Sequence, residues 1–154
     1  MSRDERFKAV QRGGSLDLPE HRLLATWAAD CAERVLPLFS EQYPGDDRPR
    51  RAIEAARAWA NGEVSVGEAR AAAFEAHAAA RDAADDAARA AARAAGQAAG
   101  TVHMADHATH AAAYAIKAVQ AAGKGRVDAA AVDRERARQQ ERLPEEIRAL
   151  VIQR

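Results

Sequence analysis

The sequence has almost no cysteine, and this scarcity limits its redox chemistry. Cys31 is the single cysteine among 154 residues, so an intrachain disulfide is impossible. It lies at helical spacing from Trp27 and Val35, which predicts a small buried side chain. No histidine lies near it in the sequence to activate the thiol, so a reactive cysteine is not expected.

The sequence also lacks net charge and long apolar runs. Lys plus Arg and Asp plus Glu number 23 each, so no overall basic field attracts nucleic acid, and we expect no nucleic-acid partner. Apolar stretches such as 35–39 are far shorter than the roughly 20 residues that span a bilayer. No apolar run follows the charged N-terminus in the manner of a signal peptide. We therefore expect no membrane partner and a cytoplasmic location.

Strand signals are missing as well, whereas alanine is abundant. β-Branched residues are scattered and nowhere alternate with polar residues over the length of a strand. Alanine, the strongest helix former, supplies 43 of the 154 residues, and 33 of these lie between Arg51 and Ala122. This composition predicts an all-α fold, a single bundle of five to six mostly antiparallel helices over residues 15–154. Residues 1–14 are charged and end in a glycine pair, which predicts a flexible N-terminal arm.

Aromatic residues are scarce, at 5% of the chain, and most of them occupy apolar helix faces. Trp27, Phe39, Trp59 and Phe74 have helical spacing from other apolar residues. Residues in that position usually belong to the core. We therefore expect these four side chains to be buried.

Capping and turn residues set the expected helix boundaries. Asp17 with Glu20 and Ser65 with Glu68 have the spacing of a capping box, which predicts the starts of the first and third helices. The fourth helix is expected to end near Ala122. Further boundaries are expected at Pro37, at the turn 43–47, at Asp128 and at Pro144. Asp82 or Asp85 can cap the fourth helix, although the run 81–95 also supports an unbroken helix there.

The fourth predicted helix carries a stripe of ring side chains. His103, His107, His110 and Tyr114 recur at steps of three and four, which places them within a wedge of roughly 60° on one helix. Asp106 lies on the same polar face, opposite a seam of small apolar side chains. This stripe is the main candidate for a functional site.

Two glycines on the face that carries the stripe indicate that another group approaches it. Inside a helix, Gly96 and Gly100 each cost about 1 kcal/mol relative to alanine. Such a cost is hard to explain on a surface that nothing contacts. The sequence leaves open whether the helix continues across these two glycines. His77 of the third helix and Arg50 of the second are the candidates from elsewhere in the chain.

A metal or ligand site is one interpretation of the stripe. His103 and His107 are four residues apart, a spacing at which two imidazoles can ligate a transition-metal ion such as zinc, with His110, Asp106 or His77 as a further ligand. The pair alone is a weak signal, and methionine follows His103 where a zinc-protease helix has glutamate. In the enzymatic version, His107 acts as a base in a pocket between the third and fourth helices. No other cofactor is expected.

Three further interpretations need no metal. The histidines can belong to a solvated helix face, or they can form a polar surface that binds a partner. Alternatively, the small-residue faces of the fourth helix pair between subunits, which would make the protein a scaffold or a homo-oligomer.

A resemblance to a known family rests on four stretches, LLATWAADCAERVLPLF, DDRPRRAIEAARAW, GEVSVGEARAAAFEAHAAAR and TVHMADHATHAAAYAIKA. They resemble the small all-helical bacterial proteins grouped as putative immunity proteins with an Imm-5-like domain. The likeness spans roughly residues 16–152 and is most specific at 48–55 and in the predicted helix that contains His103, His107 and Tyr114. It implies an antitoxin-like role, in which the protein binds and neutralises a toxin made by the same cell or its neighbours. It supplies no catalytic residues.

The residues and the resemblance together predict a protein that recognises a toxin and acts by steric occlusion, without turnover. The expected binding surface consists of His103, Asp106, His107, His110 and Tyr114, with His77 and Arg50.

Overall fold

The computed structural model describes residues 5–10, 13–123 and 128–152. Within these ranges the chain forms eight α-helices and a 3₁₀ turn at Glu5–Phe7, and it contains no β-strand. The helices are α1 Leu18–Val35, α2 Pro37–Ser40, α3 Arg48–Ala60, α4 Val66–Asp82, α5 Asp86–His103, α6 His107–Ala122, α7 Ala129–Glu141 and α8 Glu145–Val151. None of these helices combines the length and apolarity needed to cross a membrane. The all-α prediction is confirmed, whereas the predicted count of five to six helices is too low.

Three interruptions account for the additional helices. Pro37 begins the short α2, and Pro144 separates α7 from α8, as the sequence suggested. The third interruption, at residues 104–106, divides the fourth predicted helix into α5 and α6. It begins at Met104, where the backbone is extended with φ −139° and ψ 102°. The prediction of one continuous helix to Ala122 is therefore wrong.

Helix α5 forms the centre of the bundle. It contacts α1, α2, α3, α4 and α6. Twelve of its 18 residues are buried, and eight of the twelve are alanine, so its neighbours can approach closely. The small-residue face that includes Ala91, Ala95 and Ala98 is buried inside the chain, which makes it unavailable for pairing with a second subunit. A homo-oligomer formed through another face stays a prediction.

Side-chain caps start α1, α4, α5 and α7 at residues that the sequence suggested. Asp17 accepts a hydrogen bond from the Glu20 amide at 2.8 Å, and the Glu20 side chain accepts one from the Asp17 amide at 3.2 Å. Ser65 and Glu68 make the same reciprocal pair at 3.1 and 3.2 Å. Both predicted capping boxes are confirmed, and Asp85 caps α5.

A buried polar network attaches α7 to α1 and α6. Arg34 donates two hydrogen bonds to the buried carboxylate of Glu135, at 3.1 and 2.9 Å. Gln139 Nε2 donates to that carboxylate at 2.8 Å and to the Ala112 carbonyl at 3.0 Å, and Trp27 Nε1 donates to the Gln139 carbonyl at 2.8 Å. Because removing one partner of a buried ion pair typically costs about 3–5 kcal/mol, this network fixes the position of α7.

Cys31 lies close to this network and is fully buried. Burial raises the pKa of its thiol to about 12. The thiol therefore stays protonated at neutral pH, where only the thiolate is an effective nucleophile. The prediction of a small buried side chain at this position is confirmed.

The described part of the N-terminal segment packs on the bundle. Phe7 and Leu16 are buried, and the Leu16 amide donates to the Lys8 carbonyl at 2.9 Å. The turn between them needs glycine, because a Cβ on Gly14 would overlap the Lys8 carbonyl. The flexibility expected of residues 1–14 stays a prediction, but Phe7 belongs to the core.

Candidate functional site

The imidazole of His77, on α4, lies against the backbone of α5 at Gly96. A Cβ built on Gly96 would be 2.7 Å from Cε1 and from Nε2 of the ring, which is too close for a real Cβ. Any larger residue would push the ring away. The missing side chain therefore makes room for His77, and the prediction that a group approaches Gly96 is confirmed.

His107, in the first turn of α6, packs against Gly100 as His77 packs against Gly96. A Cβ built on Gly100 would be 2.6 Å from His107 Nδ1. The ring of His110 follows, with its centroid 5.4 Å from that of His107. Because Gly96 and Gly100 are about one turn apart, imidazoles from α4 and α6 lie over the same stretch of α5.

The surroundings of His77 favour its neutral form. Arg93 Nη1 lies 3.4 Å from His77 Nδ1. A guanidinium can only donate, so Nδ1 accepts and the neutral ring carries its proton on Nε2. Burial, together with the positive charges of Arg93, His107 and Arg81, holds the pKa of His77 below its usual value. At neutral pH this ring is therefore an uncharged hydrogen-bonding group.

Aromatic rings lie on the two helices that carry these imidazoles, Tyr114 half-buried on α6 and Phe74 exposed on α4. On α6, the ammonium of Lys117 lies 5.0 Å from the centroid of the Tyr114 ring. On α4, Phe74 is 61% exposed, and the guanidinium of Arg70 lies 5.6 Å from its ring centroid. Steps of three and four place Phe74 on the same face of α4 as His77. Helices α4 and α6 therefore each carry an aromatic ring and at least one imidazole.

The aromatic residues expected in the core have three different environments. Trp27 and Phe39 are buried as predicted. Trp59 is half-buried at the wall of a cavity. The prediction for Phe74 is wrong, because the buried face of α4 runs through alanines and leaves Phe74 outside it.

We call the region formed by the outer rings and their neighbouring guanidinium the histidine surface. It consists of Phe74, His77, Arg93, His107, His110 and Tyr114. Helices α4 and α6 both pack on α5, so a single buried helix holds its parts in position. Imidazole nitrogens form hydrogen bonds, and the aromatic rings supply apolar area, so this surface suits recognition of another molecule.

The predicted stripe is only partly present. His107, His110 and Tyr114 share α6, and His77 joins them from α4. His103 ends α5 instead and lines a cavity, so the expected arrangement of four rings on one rod is wrong. The separation of His103 from the other rings is caused by the extended backbone at Met104, which turns the chain before His107.

The other two predicted residues lie at the margins. Asp106 is half-buried in the turn between α5 and α6, adjacent to His107 in sequence. Arg50 lies in the first turn of α3, where its guanidinium is 3.6 Å from Asp47. Helix α3 contacts α1, α4 and α5, so the fold does not bring Arg50 to the imidazoles of α6.

A metal centre receives no support from the arrangement of these residues. His103 and His107 lie on different helices, which removes the spacing argument for a shared ion. In the part of the chain that the structure describes, no group of three or more His, Cys, Asp or Glu side chains is placed to hold a metal.

Sequence reasoning missed His21, which lines the same cavity as His103. Its Nε2 lies 2.6 Å from the carbonyl oxygen of Thr101, and its ring centroid lies 4.7 Å from that of Trp59. The available signal was its position three residues before Leu24, on the face of α1 that is buried.

The fold and the site together define a class, namely an α-helical protein whose exposed rings are held by a small-residue core and suited to binding. The chain belongs to the family described as Imm-5 like putative immunity protein, whose sequence model matches residues 14–146. The resemblance noted in the sequence is thereby confirmed, and membership supports an immunity role with a protein partner. No match to the chain was found among curated proteins or among solved structures.

Proposed function

We propose that this protein is an immunity protein that binds and neutralises a partner toxin through the histidine surface. The observation that carries the proposal is the close packing of His77 on Gly96 and of His107 on Gly100 of α5, with the exposed Phe74 three residues before His77 on α4. Rings that are already fixed lose little freedom on binding, and exposed aromatic residues are common at the energetic centres of interfaces. The proposal includes a cytoplasmic location, where the toxin would meet the protein.

The charges around the histidine surface favour an acidic partner. Arg70, Arg81 and Lys117 lie on the outer faces of α4 and α6, and among the described residues they form no ion pair with a carboxylate. The arginines of α3 differ, because each pairs with Asp or Glu: Arg48, Arg50, Arg51 and Arg57. Cations that have no internal carboxylate partner can bind carboxylates of another protein, with charge-assisted hydrogen bonds.

Neutralisation in this proposal works by occlusion. The partner places an apolar side chain against Phe74 and carboxylates against the cations at the edges of the surface. Complementary charge speeds the encounter and makes the association rate fall as salt is added. The rings at the centre hold the complex, and no bond in the toxin is made or broken.

The test begins with a search of the genes that neighbour the one for this protein, and it uses any toxin domain encoded there. The two chains are co-expressed, survival of the host is scored, and the dissociation constant is measured by calorimetry. Phe74→Ala and His110→Ala should each weaken binding at least tenfold, which corresponds to about 1.4 kcal/mol. Leu18→Ala is the matched control, because this apolar residue is also exposed but lies on α1. It should leave binding unchanged.

Two results would count against the proposal in different ways. If the neighbouring toxin is neither bound nor neutralised by the unaltered protein, the immunity role is wrong. If binding is tight but insensitive to Phe74→Ala and His110→Ala, the role stands and the histidine surface is the wrong place.

A further inference from the structure

A groove of about 360 Å³ lies between α6, α7 and the C-terminal end of α8. Its volume is at the lower end of the range for binding pockets, roughly 300–1,000 Å³. The apolar part of its wall consists of Ala112, Ala113, Ile116, Leu143, Val151 and Ile152. Ile116, Val151 and Ile152 are half-buried, so part of their apolar area is open to solvent. Accessible apolar area with a polar rim is typical of protein-interaction sites.

The rim of this groove has a positive charge. Among the described residues that line the groove, Arg136 of α7 is the only charged one, and its side chain is exposed. Its guanidinium forms no ion pair or hydrogen bond with another described residue. Gln140 lies one turn further along α7 and is exposed as well, so its amide adds hydrogen-bonding atoms beside the guanidinium.

The carboxylates of α7 do not neutralise Arg136. Glu135 is buried, and its oxygens already accept three hydrogen bonds within the network that attaches α7. Asp133 and Glu141 do not line the groove, and neither forms an ion pair with Arg136. The guanidinium at the rim is therefore available to a carboxylate of another molecule.

Hydrogen bonds beneath the groove fix the distance between its walls. Gln139 and Ala112 both line the groove, on α7 and α6, and Gln139 Nε2 donates to the Ala112 carbonyl at 3.0 Å. The Gln139 carbonyl accepts a hydrogen bond from Trp27 Nε1 at 2.8 Å. A groove that is already formed costs less ordering free energy when a partner binds.

We propose that this groove binds an acidic segment of a partner protein, in which one aliphatic side chain lies between carboxylates. The aliphatic side chain packs against Ile116 and Ile152, and a neighbouring carboxylate accepts hydrogen bonds from Arg136. Burial of the aliphatic side chain favours binding, and the charge-assisted hydrogen bonds select an acidic segment over a neutral one. The groove shares no residue with the histidine surface, so it is a second contact site.

NMR titration of the full chain tests the proposal with the blocked pentapeptide acetyl-Glu-Glu-Leu-Glu-Glu-amide. Two matched peptides separate the two contributions. Glutamine in place of every glutamate removes the charge, and alanine in place of leucine removes the aliphatic side chain. The first peptide should bind at least about threefold more tightly than either matched peptide.

The two tryptophans of the chain locate the bound peptide, because they lie in different places. Trp27 lines the groove, whereas Trp59 lines the cavity that contains His103. The indole N–H signal of Trp27 should therefore shift as the first peptide is added, and the signal of Trp59 should stay in place.

Arg136→Gln tests the selecting group. This variant should bind the glutamate peptide no more tightly than the glutamine peptide, and its unfolding midpoint in urea should stay the same because the guanidinium has no partner in the described chain. Arg134→Gln is the matched control. Arg134 is an exposed arginine of the same helix and also forms no ion pair with a described residue, but it lines a different cavity. This control should keep the preference for the glutamate peptide.

Several results would overturn the proposal. They are equal binding of the three peptides, no binding at all, a preference that survives Arg136→Gln or is lost in Arg134→Gln, and a shift of the Trp59 signal in place of the Trp27 signal. A Trp27 signal that moves with protein concentration when no peptide is present would also overturn it, because a second copy of the chain would then occupy the groove. None of these measurements involves the toxin, so they do not bear on the immunity role.

Discussion

The histidines of this protein occupy two regions that hold an imidazole in opposite ways. On the histidine surface, His77 and His107 pack against Gly96 and Gly100 of α5, where the missing side chains leave room for the rings. In the cavity, His21 is placed by a bond, because it donates to a carbonyl at the end of α5. One buried helix, α5, therefore determines both regions, the first through its middle and the second through its C-terminal end.

The largest effect should come from removing the ring of the cavity region. His21→Ala leaves the Thr101 carbonyl without its donor and removes the packing on Trp59, so we expect a loss of about 2–4 kcal/mol in the free energy of unfolding. Urea unfolding followed by circular dichroism measures it. A loss below about 0.5 kcal/mol would show that the bond does not hold this region.

A smaller effect should follow from filling the space below a ring of the histidine surface. Gly96→Ala puts a Cβ 2.7 Å from the His77 ring, which must move outward. We expect the substitution to destabilise by about 1–3 kcal/mol and to raise the pKa of His77 toward its usual value near 6.5 as the ring becomes solvated. Thermal unfolding and NMR titration measure the two changes.

Gly67→Ala is the matched control for Gly96→Ala. Gly67 lies in the first turn of α4, and the nearest atom to its added Cβ is Ser65 Oγ at an ordinary 3.8 Å. Alanine there should be neutral or stabilise by up to about 1 kcal/mol. Equal changes in the free energy of unfolding at the two glycines would mean that His77 moves without cost and that its packing against Gly96 does not contribute to stability.

The pH dependence of stability should also separate the two regions. The pKa of His77 is lowered in the folded protein, by burial first and then by the charges of Arg93, His107 and Arg81. The unfolded chain therefore binds more protons, so the contribution of His77 is complete above its unfolded pKa of about 6.5 and is lost as the pH falls through and below that value. Thermal midpoints between about pH 8 and pH 5.5 should fall more for the natural chain than for His77→Gln. Parallel curves would contradict the assignment.

The smallest effect on stability is expected at His110. This ring is exposed on α6, so His110→Ala should change the free energy of unfolding by less than about 0.5 kcal/mol, while it weakens the proposed toxin binding. Unfolding in urea checks the first part. A loss as large as that of His21→Ala would mean that the two regions are equally structural.

Much of the fold was accessible from the sequence because its signals are local. The capping boxes at Asp17 and Ser65 depend on residues three apart, and alanine content alone predicts helices. The approach of another group to Gly96 and Gly100 was also predictable, since glycine inside a helix needs a reason. Which rings would approach was not, because it depends on how α4 and α6 pack on α5.

The break between α5 and α6 explains most of the errors at the site. Met104, Ala105 and Asp106 include neither proline nor glycine, so no breaker residue marks the turn. The burial of Ala108 and Ala111 on α6 against α5 requires the chain to reverse there, and this packing overrides local helix propensity. One unpredicted turn was enough to move His103 from the stripe to the cavity.

The alanines that dominate the buried part of α5 have a consequence for how recognition could change over time. An alanine side chain has no rotamers, so it loses no side-chain entropy on folding and cannot change conformation when a partner binds at the surface. The core therefore stays rigid. New preferences for a target can be acquired by substituting surface residues such as Phe74 or His110, while the core beneath them remains the same.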